Sequence, residues 1–158
     1  MSVLVISFIL IVIDQVSKYL VRSSMDLYDT ISVINNFFHI TYISNDGMAF
    51  GINFPGGIYV FTAASFILTI ILIGYLWYER KGHILLRIAL AFIIAGAIGN
   101  FIDRALFKEV VDMFDFEFWG WHFYIFNVAD SAVTVGMIFY LIYSFILQPK
   151  LDKIKSAV

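Results

Sequence analysis

Four stretches of the chain stay apolar for long enough to cross a bilayer: 3–21, 57–78, 84–102 and 128–147. A spanning helix needs about 20 such residues, so the pattern predicts a membrane α-helical protein with four transmembrane helices. The first stretch has no basic residue before it and no small-x-small cleavage signal, and is expected to be a retained helix. The intervening segments are unusual. Thr30–Ile34 and Phe37–Ile43 are rich in β-branched and aromatic residues around Asn35-Asn36, which predicts a hairpin or small sheet between helices 1 and 2. Between helices 3 and 4, Phe107, Phe114, Phe116, Phe118, Trp119, Trp121, Phe123, Tyr124 and Phe126 crowd into one segment. Aromatic rings favour the membrane–water boundary, so both segments are expected to lie on or dip into a leaflet.

Composition strengthens this picture. Of the 158 residues, 61% are hydrophobic and only 14% charged, against about 25% charged in ordinary soluble domains. A soluble enzyme, a nucleic-acid-binding domain and a disordered chain are all excluded. The chain has no cysteine, so disulfides, thiolate metal sites and a cysteine nucleophile are excluded too. A single integral membrane domain, 1–158, is the simplest organisation, with no Pro- or Gly-rich linker and no repeat. Six of the ten basic residues (Arg80, Lys81, Arg87, Lys150, Lys153 and Lys155) fall in or beside the 2–3 connection and the C-terminal tail. The positive-inside rule then predicts cytoplasmic termini and acid-rich segments on the outer face.

Ionisable residues within spans are costly and mark candidate sites. Asp14 and Lys18 share a face of the first helix, either as a packing ion pair or with Asp14 aimed into a site. Asn45-Asp46-Gly47 reads as a turn. Gly96 and Gly99 invite a close helix neighbour. Asn100, Asp103 and Arg104 share a face, as a cap or as a cluster in which Arg104 neutralises carboxylates. Asp112, Asp115, Asn127 and Asp130 fill the segment before helix 4 and its start. Asp130 could cap that helix. Alternatively, two converging carboxyls could share a proton, one as base and one as acid. Nothing competes strongly with that chemistry. His39, His83 and His122 lack metal-ligand spacing, and adjacent Ser17 and Lys18 point to different helix faces.

Several motifs occur in order: Asp14-Gln15, Asn45-x-Gly47-x-Ala49-Phe50-Gly51, Gly99-Asn100-Phe101-Ile102-Asp103-Arg104, Val110-Val111-Asp112 and Phe126-Asn127-Val128-Ala129-Asp130. Together they closely resemble the bacterial lipoprotein signal peptidase (type II signal peptidase) family. The resemblance implies an intramembrane aspartyl endopeptidase of the bacterial plasma membrane. Such a peptidase removes signal peptides from prolipoproteins, before a cysteine carrying diacylglycerol. It implies Asp112 and Asp130 as the catalytic pair. Asn45, Gly47, Asn100, Arg104 and Asn127 would line the site and hold substrate, and Asp14 and Asp103 would support it. No metal or cofactor is implied. The expected partners are prolipoprotein and membrane lipid, with no nucleic acid, and a monomer is expected. Ser44 stands where many relatives carry Arg, and Met48 where Ala is more usual. Asp115 lies outside the motifs. Further expectations follow: Asp112 in a loop, Asp130 at a helix start, a site near the outer leaflet, and Phe114–Tyr124 as a lid. A proton-coupled transporter fits less well, because acids at one boundary form no relay across the membrane. A membrane chaperone using the aromatic segments is the third class.

Overall fold

The computed structural model describes residues 3–45 and 56–156. Four long helices dominate it: α1 (Val3–Ser24), α2 (Gly57–Tyr78), α3 (Ile84–Phe107) and α4 (Val128–Ile142), the last continuing through a π-helical turn (Tyr143–Leu147) into α5 (Gln148–Ser156). Four helical stretches, the last running Val128–Ile154, are long and apolar enough to cross a membrane. The π turn has a local cause. Pro149 has no N–H and its ring crowds the preceding turn. The chain accommodates this by widening, with the Gln148 N–H reaching back to the Tyr143 carbonyl.

The central helix is α3, with half of its apolar stretch buried, whereas α1, α2 and α4 turn most of theirs outward. Exposed Leu4, Phe8, Ile9 and Ile13 on α1 and Ile67, Ile70 and Ile71 on α2 are the surface that lipid would cover. Small residues set the approach of α3 to α4. A Cβ on Gly96 would lie 2.2 Å from the Ala129 carbonyl oxygen, and one on Gly136 would lie 2.7 Å from Ile93. Backbone contact of this kind replaces the hydrophobic driving force that lipid removes.

One end of the bundle collects Val3, Leu76, Leu86 and Leu90 into an apolar cluster. His83, which caps α3, stacks on Tyr143 there at 5.5 Å. The 2–3 connection and the end of the fourth span therefore share one end. At the opposite end sits an antiparallel sheet of order β1-β2-β3-β4: β1 (Thr30–Ile34), β2 (Phe38–Asn45), β3 (Val110–Phe118) and β4 (Trp121–His122). Its inner face packs Tyr42, Val111 and Met113 against Val21 of α1.

The β1–β2 hairpin agrees with the sequence pattern, with Asn36 left-handed at its turn (φ 58°). The aromatic segment between α3 and α4 holds more order than its composition predicts. Asp112 lies on strand β3, not in a loop, and pairs with Ile43 of β2. Phe114–Tyr124, expected as a lid, forms the body and tip of the β3–β4 hairpin. Its turn uses Trp119 and Gly120, both at positive φ, matching the twist of a two-residue hairpin. Helix α3 also runs past Ile102 to Phe107, where Lys108 in the left-handed region ends it. Asn100, Asp103 and Arg104 are thus helical positions and not a cap.

A methyl group at the α3–α4 contact has no room. Gly96→Ala should destabilise the protein by roughly 1–3 kcal/mol, lowering the thermal midpoint in detergent. Gly74→Ala, with nothing within 4 Å, should leave the midpoint unchanged.

Candidate active site

Lys18 is the first piece of the site, fully buried on α1. Its ammonium contacts Asp14 Oδ2 at 2.9 Å, Asp103 Oδ2 at 3.2 Å and Asn100 Oδ1 at 2.9 Å, occupying all three of its donors. The two carboxylates are satisfied on every oxygen. Asp14 Oδ1 accepts the Ala129 backbone N–H at 2.9 Å in the first turn of α4. Gln15 donates to Asp14 Oδ2 at 3.1 Å and to Asp103 Oδ1 at 3.3 Å. Asp103 Oδ2 also accepts the Val111 N–H of β3 at 3.4 Å. One ion cluster therefore ties α1 and α3 to the two segments that carry Asp112 and Asp130. Gly99 leaves room for it, since a Cβ there would lie 2.5 Å from Asp14 Oδ2.

The cluster then orients two amides. The ammonium can only donate, so it fixes Asn100 Oδ1 towards itself. Asn100 Nδ2 must face the other way, and it donates to Asp130 Oδ1 at 2.8 Å. Asn127 is constrained similarly. As the N-cap of α4, its Oδ1 accepts the Asp130 N–H at 2.9 Å, while Asp130 Oδ2 accepts the Asn127 N–H at 3.2 Å. That reciprocal capping box turns Asn127 Nδ2 inward. There it meets Asn100 Oδ1 at 3.2 Å, the Val111 carbonyl at 3.2 Å and Asp112 Oδ1 at 2.7 Å. Asp130 is thus a cap and a site residue at once.

A bulge in β2 brings the remaining residue into reach. β2 carries one more residue than β3 between Ile40 and Ile43, so Phe38, Ile40, Ile43 and Asn45 all oppose even-numbered β3 positions. Asn45 consequently shares the face of Asp112, donating to Asp112 Oδ2 at 3.4 Å and to the Tyr124 hydroxyl at 3.2 Å. Asp115 is three residues from Asp112 on a regular strand and points to the opposite face. There it accepts from Thr41 at 2.9 Å and pairs with His122 at 2.8 Å, which raises the pKa of that imidazole.

Asp112 is 3% exposed. Burial, and then the charge of Asp130, push its pKa up from 3.8 to about 7, against the opposing pull of the Asn127 and Asn45 hydrogen bonds and the Lys18 charge. Arg104 donates to Ser65 of α2 at 3.2 Å and feels the charges of Asp130, Asp112 and Asp103. Its Nε is buried without a partner among the described residues. Beside Asp130 opens a cavity of about 560 Å³, lined by Phe123, Tyr124, Phe126, Ser131, Thr134 and Val135. No metal-ligating group of three or more occurs among the described residues. Ser44 donates to Glu109. Gly47 and Met48 lie outside the described residues.

Of the predicted positions, Asp14, Asn45, Asn100, Asp103, Asp112, Asn127 and Asp130 form one connected network, and Arg104 borders it. The four-residue spacing of Asp14 and Lys18 predicts their pairing, but the contacts of Lys18 to Asp103 and Asn100 need the fold. Ser65, in an apolar helix, carries no such signal in the sequence, and Tyr124 is singled out there only as the end of the aromatic lid, not by its bond to Asn45.

Fold and site define a polytopic membrane protein with a carboxylate-rich polar centre beneath a small sheet at one end of the bundle. The family model for signal peptidase (SPase) II matches residues 6–146. Lipoprotein signal peptidase of Staphylococcus epidermidis is 42% identical over 139 residues, covering 88% of this chain and 86% of that protein. That of Staphylococcus haemolyticus is 38% identical over 139 residues, covering 88% and 87%. Two solved structures, each described as a bacterial membrane enzyme, superpose with TM-scores of 0.76 and 0.77 at 38% and 35% identity, covering 89% and 93% of this chain and 85% and 94% of theirs. The chain belongs to the signal peptidase II family and is a multi-pass bacterial membrane protein.

Removing one member of a buried ion cluster leaves the others uncompensated. Lys18→Met should lower stability by roughly 3–5 kcal/mol, read as a large fall in thermal midpoint. Asp115→Asn should return the His122 pKa towards its ordinary value, followed by NMR, and leave cleavage within about tenfold of wild type, since buried Asp115 bonds to Thr41 and His122 and to no group of the network.

Proposed function

We propose that the protein is an intramembrane aspartyl endopeptidase that removes the signal peptide from diacylglyceryl-modified prolipoproteins, with Asp112 and Asp130 as its catalytic pair. The single observation that carries the assignment of residues is the amide bridge. Asn100 and Asn127 bond to each other and to Asp130 and Asp112 respectively. Family membership supports the substrate class, and the apolar cavity beside Asp130 suits a lipid-bearing peptide.

Asp112 holds the proton of the pair, because burial and the neighbouring charge both favour its neutral form. Asp130 acts as the base. Its two oxygens accept from Asn100 and from the Asn127 backbone, which hold it in place beside the pair's other carboxyl. Asp130 takes a proton from water as that water attacks the scissile carbonyl, and Asp112 donates to the carbonyl oxygen. Collapse of the tetrahedral intermediate returns a proton to the leaving amine. Asn45, Gly47, Arg104 and Asn127 hold substrate, and Asp14 and Asp103 position the network. The whole chain, 1–158, works as one membrane unit with both termini cytoplasmic and the sheet at the outer leaflet of the plasma membrane. The basic residues of the 2–3 connection and the C-terminal tail support that orientation.

Asp112→Asn and Asp130→Asn should each reduce cleavage of a diacylglyceryl prolipoprotein in detergent by more than about 10²-fold. Normal turnover by either variant would defeat the pair. Activity should fall as pH rises through about 7, where Asp112 loses its proton; as the two groups interact, the limb belongs to the pair. Stability follows the same sign. The folded state binds this proton more tightly than the unfolded chain, so stability is lost as pH rises from 3.8 to about 7. Asp112→Asn should abolish that loss, and its thermal midpoint relative to wild type should rise over the same interval.

A further inference from the structure

Tyr124 follows β4 and precedes the capping box of α4. Its ring lines the cavity beside Asp130, while its hydroxyl turns back to the sheet. Asn45 Nδ2 can only donate, so at 3.2 Å the phenol oxygen is the acceptor. The hydroxyl hydrogen is left over, and no described residue accepts it. The same Asn45 nitrogen donates to Asp112 Oδ2 at 3.4 Å, so one amide nitrogen separates the phenol from the proton-bearing carboxyl. Tyr124 and Asp130 line the same cavity, so a peptide carbonyl entering from it between the two carboxyls would approach that unused donor. The phenol also stays protonated at working pH. Partial burial, then the charges of Asp112 and Asp130, raise its pKa from 10.0.

We propose that Tyr124 is a third catalytic residue, whose hydroxyl donates to the scissile carbonyl oxygen and to the oxyanion formed when water adds. The proposal rests on the aspartyl pair described above. Asp112 alone would otherwise carry the developing negative charge. A second donor, fixed by Asn45 and aimed before substrate arrives, adds stabilisation where charge grows and costs little reorganisation. Asn45 acts here as a positioning residue, since it aims the phenol and need not touch the carbonyl.

The test compares wild type, Tyr124→Phe and Asp112→Asn in steady-state cleavage of a diacylglyceryl prolipoprotein in detergent. Tyr124→Phe keeps the ring along the cavity and removes only the donor. The expected result is a kcat lower by about 10²-fold, with KM changed less than about twofold and an unchanged thermal midpoint. A kcat within twofold of wild type, a loss confined to KM, or a loss matched by a lowered midpoint would overturn the role. The Asp112→Asn arm separates the two readings. If it is inactive while Tyr124→Phe is normal, only the tyrosine falls; if it is active, the pair itself falls.

Discussion

An ammonium group inside a lipid-embedded bundle has no water to return to, so everything around Lys18 must satisfy it. Its three donors meet Asp14, Asp103 and Asn100, and the carboxylates in turn draw in the Ala129 and Val111 backbone amides. Those two amides belong to the segments that carry Asp130 and Asp112. Such a cluster is not needed for stability as such, because apolar packing could replace it at similar or lower free energy. What apolar packing could not do is fix which way Asn100 points. The lysine, a donor only, decides that, and the orientation of Asn100 decides what Asp130 receives.

The close approach of α3 to α4 serves the same end. Gly96 and Gly136 bring the helices to backbone contact, and Gly99 gives Asp14 its place. The capping box then gives Asp130 two duties. Its side chain accepts the N–H of the N-cap Asn127, and it stays where the Asn100 amide reaches it. On the other side, the bulge in β2 turns Asn45 to the face of Asp112. Site and scaffold are built from the same hydrogen bonds, so few of these residues can change without moving the others.

Much of this was legible beforehand. Four long apolar runs gave the helices, because lipid allows spanning backbone few other forms. The β-branched run around Asn35-Asn36 gave the first hairpin. Strand β3 was not legible, since its aromatic and acidic alternation also reads as an interfacial loop, and its pairing to β2 bridges distant parts of the chain. Spacing alone could not choose between Asp112 and Asp115. The family motif pointed to Asp112, and strand parity supplies the physical reason: the two side chains leave opposite faces of the sheet. Lys18 was visible as a partner of Asp14, but its bonds to α3 depend on tertiary packing that no local pattern encodes.

The proposed chemistry turns on one proton, kept near neutral pH by a carboxyl that is buried beside a second carboxyl. Infrared difference spectroscopy of the detergent-solubilised protein, titrated through neutral pH, reads protonated carboxyl groups directly. A carboxylic acid signal should persist to about pH 7 and be missing from Asp112→Asn. Complete ionisation of the wild-type carboxyls well below neutral pH, or an acid signal unchanged in Asp112→Asn, would contradict it.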